Sequence, residues 1–303
     1  MHRPELSSSF VGTRIRDCSV KLTARQTMNF AAGILDESEC YFDDLRVGGI
    51  VAHPMQICSL TWQMSSRFSE FLMTDGFPQE LSQHQVHYTE TVVWHRPMLP
   101  GDELTIEGHI AAILPHRRGT HLIVQYDAHD TDNQPVFTEY TGALLRGVQC
   151  SDAGRGHDIP LPEAHNPEAP SNQTTPAVIW EAALLLHPLA AHLYDGCANI
   201  SFPIHSSPSF AKSVGLPGII MQGTATAAMA LSQLIQRESN GDPRLVSRIG
   251  CCFTGMIFPG STIFIRLHHR VETTDGQCLL WSVSDEQGRQ AITSGSLIVK
   301  RGR

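Results

Sequence analysis

The stretch Arg96-Pro97-Met98-Leu99-Pro100-Gly101-Asp102-Glu103-Leu104-Thr105-Ile106-Glu107-Gly108-His109-Ile110 sets a plan that the chain repeats at Met256-Ile257-Phe258-Pro259-Gly260-Ser261-Thr262-Ile263-Phe264-Ile265-Arg266-Leu267. After the first Pro-Gly, Leu104, Ile106 and Ile110 share one side, and Thr105, Glu107 and His109 take the other. After the second, Ile263, Ile265, Leu267 and Val271 share a side. A period of two marks a strand with one face in a core and one in water. Each copy runs on into a β-rich segment, Leu122-Ile123-Val124-Gln125-Tyr126 or Leu279-Leu280-Trp281-Ser282-Val283. A polar turn follows, Asp130-Thr131-Asp132-Asn133 or Asp285-Glu286-Gln287-Gly288. Each then closes on a strand with a central glycine, Thr141-Gly142-Ala143-Leu144 or Ser294-Gly295-Ser296-Leu297.

Upstream of each run of strands, a Met-Gln pair opens a helix. Met55-Gln56 leads into Ile57-Cys58-Ser59-Leu60-Thr61-Trp62, and Met221-Gln222 into Gly223-Thr224-Ala225-Thr226-Ala227-Ala228. The small residues of the second helix let it lie close against a sheet. One helix followed by an antiparallel meander, present twice, predicts an α+β protein of double hot-dog layout with two central helices, each wrapped by a curved sheet. Residues 151–176 are polar, rich in Pro and Gly and without apolar periodicity, and read as a linker. The expected division is therefore 1–150, the linker 151–176, and 177–303. Two copies in one chain mimic the dimer that single hot dogs form.

The 303 residues carry a formal charge of −8 and are 41% hydrophobic, which supplies two cores and disfavours nucleic-acid or anionic-membrane partners. The apolar runs fall short of a membrane span, and the start Met1-His2-Arg3-Pro4-Glu5-Leu6-Ser7 lacks the apolar core of a secretory signal. Eight scattered cysteines without a C-x-x-C pair fit a reducing compartment, so a cytoplasmic location is expected. The histidines form no metal-ligand spacing, and phosphate-binding and dinucleotide-binding glycine motifs are absent, so neither metal nor cofactor is expected. His84 and His87 precede or enter the β-forming run Val86–Trp94, which separates their rings and makes a solvated face or a subunit contact the plainer reading.

The densest chemical signal is Tyr194-Asp195-Gly196-Cys197-Ala198-Asn199-Ile200-Ser201-Phe202-Pro203-Ile204-His205, followed by Phe210-Ala211, Gly215-Leu216-Pro217 and Gln222-Gly223. It resembles the hydratase motif of the MaoC-like dehydratase / (R)-specific enoyl hydratase family, and its wording is similar to that of filamentous-fungal members. Pro203-Ile204-His205 match Pro-hydrophobe-His, and Gln222-Gly223 stand where the motif has His-Gly. The N-terminal half, with Arg96-Pro97 and Pro100-Gly101, looks like the partner repeat of the double hot-dog versions. Two positions depart from the motif: Ile200 occupies the place of the acid, and Phe202 that of an asparagine. Asn199, one residue earlier, is the nearest polar replacement.

The resemblance implies dehydration of a β-hydroxyacyl substrate. That reaction needs a base for the α-proton, an acid for the leaving hydroxyl and a donor for the enolate oxygen. His205 supplies a group that titrates near neutrality, and the Gly223 N–H at a helix start supplies the donor. Asn199 holds water or the hydroxyl, but cannot release a proton at neutral pH. His205 then acts alone, as base and afterwards as proton donor. Gln222, Ser201 and Asp195 are the expected substrate-binding residues. Against each stands a plainer role: Asn199 or Gln222 as a cap, Asp195 as an exposed turn residue, Gly223 as a close-packing helix start. The N-terminal counterpart, Ala31-Ala32-Gly33-Ile34-Leu35-Asp36-Glu37, has no Pro-hydrophobe-His, so the first half is expected to be catalytically silent and to accommodate the substrate's tail.

The reading that follows is a dehydratase for a β-hydroxyacyl or polyketide-type substrate of secondary metabolism, free or held on coenzyme A or a carrier protein, in a chain able to pair as a homodimer. The alternatives are an isomerase or cyclase on the same fold, or a non-catalytic subunit of a hetero-oligomer. A hot-dog thioesterase ranks below these, since residues 223–232 offer no carboxylate.

Overall fold

A computed structural model describes residues 3–159, 178–274 and 276–302. In chain order the first half contains β1 (Glu5–Leu6), β2 (Arg14–Lys21), α1 (Ala24–Gly33), α2 (Glu39–Phe42), α3 (Ile57–Ser65) and α4 (Phe68–Phe71). The strands β3 (Gln85–Trp94), β4 (Glu103–His116), β5 (Gly119–Asp130), β6 (Pro135–Arg146) and β7 (Gln149–Cys150) complete it. The second half contains β8 (Trp180–Leu185), α5 (Ala190–Ala198), α6 (Pro208–Ser213) and α7 (Gly223–Glu238), then β9 (Val246–Phe253), β10 (Thr262–Thr273), β11 (Gly276–Asp285) and β12 (Gln290–Lys300). Of the expected 151–176 linker, residues 160–176 lie outside the described residues. Arg155, within the described part, exchanges two backbone hydrogen bonds with Ile113.

Ten strands form one sheet in the order β2-β4-β5-β6-β3-β9-β12-β11-β10-β8. Read from either edge, the order repeats: edge strand, the three-strand meander, then the strand that follows the helix. The repeat seen in the sequence is thus a repeat in space, and the two copies join where β3 runs antiparallel to β9, with Thr91 opposite Gly250. The neighbouring pairs of this sheet are all antiparallel, which gives the α+β double hot-dog arrangement.

The two Pro-Gly signals are the same turn. Asp102 N–H donates to Leu99 O at 3.1 Å, and Ser261 N–H to Phe258 O at 3.2 Å. Gly101 and Gly260, each third in its turn, have φ of 98° and 82°. Proline pre-sets the second position, and the third needs a positive φ that glycine takes without a Cβ clash. Each turn launches the strand whose alternation was legible: Leu104, Ile106 and Ile110 are buried, as are Ile263, Ile265 and Leu267. A bulge between Leu267 and His269 breaks the pattern before Val271, which is only partly buried.

The central helices differ in length. Helix α7 has 16 residues, and eleven of them are buried, Ala225, Ala227, Ala228 and Ala230 among them. A helix this free of large side chains seats its backbone close to the sheet. The first-half helix was expected to be its long counterpart. It is instead a 3₁₀ turn, Pro54–Gln56, followed by the nine residues of α3. Among the described residues, no helix is long and apolar enough to cross a membrane. All eight cysteines are free thiols.

Candidate active site

The motif segment begins on α5, whose last residue is followed by Asn199 in the left-handed region at φ 55°. Asparagine tolerates this conformation better than other non-glycine residues, so it ends the helix and turns the chain. Pro203–His205 then make one 3₁₀ turn. Ser207 caps α6 by accepting from Phe210 N–H, and Gly215 turns the chain back at φ 83°. The returning strand of chain lies against the histidine turn: Ile220 N–H donates to Ile204 O at 3.2 Å.

That approach fixes the chemistry of His205. Its Nδ1 lies 2.8 Å from Ile220 O. A carbonyl only accepts, so Nδ1 carries the hydrogen and Nε2 presents a lone pair. Burial lowers the imidazole pKa from its usual value, and the Ile220 bond and the negative charge of Asp195 offset part of that fall. The ring is therefore neutral near pH 7 and oriented as a proton acceptor.

Three residues beyond Ile220, about 10 Å of extended chain at most, α7 begins. Gln222 stands at its N-cap position but does not cap it. Its Nε2 donates to Ala191 O on α5 at 3.1 Å, and its Oε1 is buried without a hydrogen-bond partner among the described residues. First-turn N–H groups have no intrahelical acceptor, so the Gly223 N–H is among the donors that the helix leaves available. A Cβ at Gly223 would sit 3.0–3.3 Å from the Phe253 ring. Tyr194 O–H donates to Thr224 Oγ1 at 3.1 Å, which closes the other side of this helix start.

Of the expected site residues, His205, Gln222 and Gly223 are joined through the Ile220–Gly223 segment, and Asp195 on α5 is close enough for its charge to act on the imidazole. Asn199 and Ser201 are exposed, and no hydrogen bond links either of them to His205 among the described residues. Ile200, at the motif's acid position, is buried in the core. Phe202 is half-exposed, its ring centroid 6.4 Å from that of His205.

Sequence reading gave no role to Tyr194, Thr224 or Phe253. It also passed over His53, which occupies in the first half the place that Gln222 holds in the second. His53 Nδ1 accepts from Met55 N–H at 3.1 Å, and its Nε2 reaches Ser232 Oγ on α7 at 3.3 Å. The residue pair His53-Pro54 beside Gln222-Gly223 was the available signal.

A histidine held by a main-chain carbonyl in the segment that leads to the uncapped start of a buried helix, inside a duplicated helix-and-meander fold, marks a double hot-dog protein whose second half carries the candidate site. Comparison with known proteins gives its kind. Residues 187–278 match the MaoC like domain, and residues 9–139 match the FAS1-like dehydratase domain region. The chain thus has a double hot-dog fold, with a MaoC-like domain in its second half and a match to the FAS1-like dehydratase region in its first. The MaoC-like dehydratase from Phytophthora capsici superposes with a TM-score of 0.81 over 97% of this chain and 98% of its own, at 19% identity. The fatty acid synthase beta subunit pigK of Monascus ruber is 34% identical over 97 residues, 32% of this chain and 5% of its own. The 3-hydroxyacyl-thioester dehydratase Y of Mycobacterium tuberculosis is 26% identical over 184 residues, 59% of each chain. The chain thus spans less than two thirds of the length of either curated relative.

Proposed function

We propose that the protein is a hydro-lyase that removes water from, or adds it across, the α,β-bond of an acyl thioester, with His205 as its base. The observation that carries this reading is the bond from His205 Nδ1 to the carbonyl of Ile220, which leaves Nε2 as the proton-accepting nitrogen and ties the ring to the segment that enters α7 three residues later. In the elimination direction Nε2 takes the α-proton, and the electron pair moves onto the thioester oxygen, where the Gly223 N–H stabilises it. The enolate then re-forms the carbonyl, and the β-hydroxyl leaves with the proton held by the imidazolium. One water departs and the imidazole is neutral again. A single group serves as base and acid because the motif's acid position is the buried Ile200.

The relatives named above act, by their names, in fatty acid synthesis and on 3-hydroxyacyl thioesters, which supports a β-hydroxyacyl thioester of biosynthetic origin as the substrate class. Asn199, Ser201, Gln222 and Asp195 are proposed to contact it. The buried isoleucine also favours a second reading, a double-bond shift or cyclisation in which the proton returns to carbon and no water leaves. Incubation with β-hydroxyacyl thioesters of graded length, followed by mass spectrometry, separates the two: dehydration removes one water and isomerisation leaves the mass unchanged. No turnover of any such thioester under conditions where the protein is folded would discard both.

A further inference from the structure

The inner face of the first half holds a cluster that the reaction above does not use. Cys58 is the second residue of α3, Glu90 lies on β3 and Glu139 on β6. Val92 pairs with Glu139, so Glu90, two residues before Val92, faces the same side as Glu139. The Cys58 sulfur and one carboxylate oxygen from each glutamate all lie within 4.8 Å of one another. Glu90 and Glu139 are 1% and 2% exposed, so water does not solvate their charge. Glu90 Oε1 and Glu139 Oε2 are buried and meet no donor among the described residues, and the two carboxyl groups lie within hydrogen-bond reach of each other. The other Glu90 oxygen is held by His87 Nε2 at 2.9 Å, and the same nitrogen lies 3.3 Å from Thr141 Oγ1.

Buried carboxyl groups in contact need a compensating positive charge, either a proton or a cation. The third donor argues for the cation. As a thiolate, Cys58 completes a three-donor set around a metal. Sulfur with two carboxylates is wrong for magnesium or calcium, which take oxygen alone, and fits zinc. Tetrahedral zinc ligands stand about 3.5 Å apart, a spacing these three atoms, all within 4.8 Å of one another, reach by closing by at most about 1.3 Å.

We propose that Cys58, Glu90 and Glu139 form a buried zinc site, with His87 orienting the Glu90 carboxylate through its Nε2–H. The ion ties α3 to β3 and β6, and β3 is the strand through which the two halves join. Ligating carboxylates are themselves hydrogen-bonded by outer partners, and His87 supplies that partner for Glu90. Binding releases the Cys58 proton and those of the two acids to solvent, and the ion takes up the three donor pairs. This inference stands apart from the proposed reaction, since none of its residues belongs to the His205 site.

The test uses the full chain, expressed in zinc-supplemented medium and purified without chelator. Elemental analysis should find about one zinc per chain. After chelator treatment, Co²⁺ should restore one equivalent of metal and give a thiolate-to-cobalt charge-transfer band in the near ultraviolet. Cys58→Ser should abolish that band, and Glu139→Gln should weaken zinc binding at least about tenfold. Zinc absent from the purified wild type, together with a Tm unmoved by added Zn²⁺ or Co²⁺, would mean that the acids share a proton and would overturn the proposal. So would a cobalt band or zinc content unchanged in Cys58→Ser, which would place the metal elsewhere. The first and decisive readings are made on the wild type, so a variant that fails to fold does not decide the outcome.

Discussion

The two halves share five strands in one order, the same Pro-Gly turn and the same closing glycine, yet their central helices begin in opposite ways. In the first half His53 caps the helix start, and Pro54 has no N–H to offer. In the second, Gln222 turns its amide away to Ala191 and leaves the α7 start uncapped. The duplicated frame is therefore kept while the helix start is capped in one copy and left uncapped in the other. Under the proposed mechanism, that helix start is where the two halves differ in function.

The strongest way to break this comparison is to remove the base. His205→Ala should lower kcat by about two to four orders of magnitude, the usual range for general acid–base catalysis, with little change in Tm. Asp36→Ala, in the first half's counterpart segment, should keep turnover, because Asp36 accepts from Ser38 N–H and supports a local turn. Turnover lost in Asp36→Ala and kept in His205→Ala would move the chemistry to the first half.

A second comparison concerns the closing glycines. A Cβ at Gly295 would lie 2.5 Å from both the Trp281 ring and its carbonyl oxygen, whereas a Cβ at Gly142 would meet the Thr89 and His121 side chains. Backbone cannot rotate away, but side chains can. Gly295→Ala should cost about 2–3 kcal/mol in a denaturant titration, and Gly142→Ala about 1 kcal/mol. Equal costs would mean that the two closing strands are packed alike.

Smaller effects are expected at Asn199. Asn199→Ala should lose about 1 kcal/mol of stability, since alanine resists the left-handed conformation, and about tenfold in rate, the worth of roughly one hydrogen bond. Asn199→Gly should recover the stability but not the rate. Full recovery of rate by glycine would reduce Asn199 to a helix terminator.

The halves should also answer pH differently. Burial lowers the His205 pKa, so the acid limb of the pH–rate profile should lie below the ordinary histidine range. In the first half, burial raises Glu90 from 4.5 to about 8 in the metal-free protein. A carboxyl whose folded pKa is raised contributes stability below its unfolded pKa and loses it as pH rises through the folded one. The chelator-treated protein should therefore lose Tm between about pH 4.5 and 8, and Glu90→Gln should flatten that slope. A slope unchanged in Glu90→Gln would assign it to other groups.

Much of the fold was legible in the sequence because its signals are local: Pro-Gly fixes a turn, and alternation fixes a face. His205 and Gly223 were legible through the spacing of the motif. The Cys58, Glu90 and Glu139 cluster was not. A bulge between His87 and Thr89 shifts the parity of β3, so His87 and Glu90 come together across three positions that plain alternation would set on opposite faces. Glutamates among threonines also read as the wet side of a strand. The short α3 escaped notice for a similar reason, because Ser65-Ser66-Arg67 carries no glycine or proline to announce a stop. Asn199 carries two readings because the residue type suits both a water-holding amide and a left-handed cap; the backbone shows the cap, and the rate of Asn199→Gly tests the amide.

The seam between β3 and β9 also bears on how the chain reaches its native state. Its paired residues, such as Thr91 and Gly250, stand about 160 residues apart in sequence, whereas β4, β5 and β6, like β10, β11 and β12, pair with their immediate successors. Local meanders close quickly, and a junction of such long range forms late, because the entropy of closing the intervening loop opposes it. Zippering the seam should therefore be the slow step of refolding. Doubling the length of the 151–176 stretch should lower equilibrium stability by only about 0.6 kcal/mol while slowing that last phase, and until it completes, the unpaired edges of β3 and β9 are open to the same strands of a neighbouring chain.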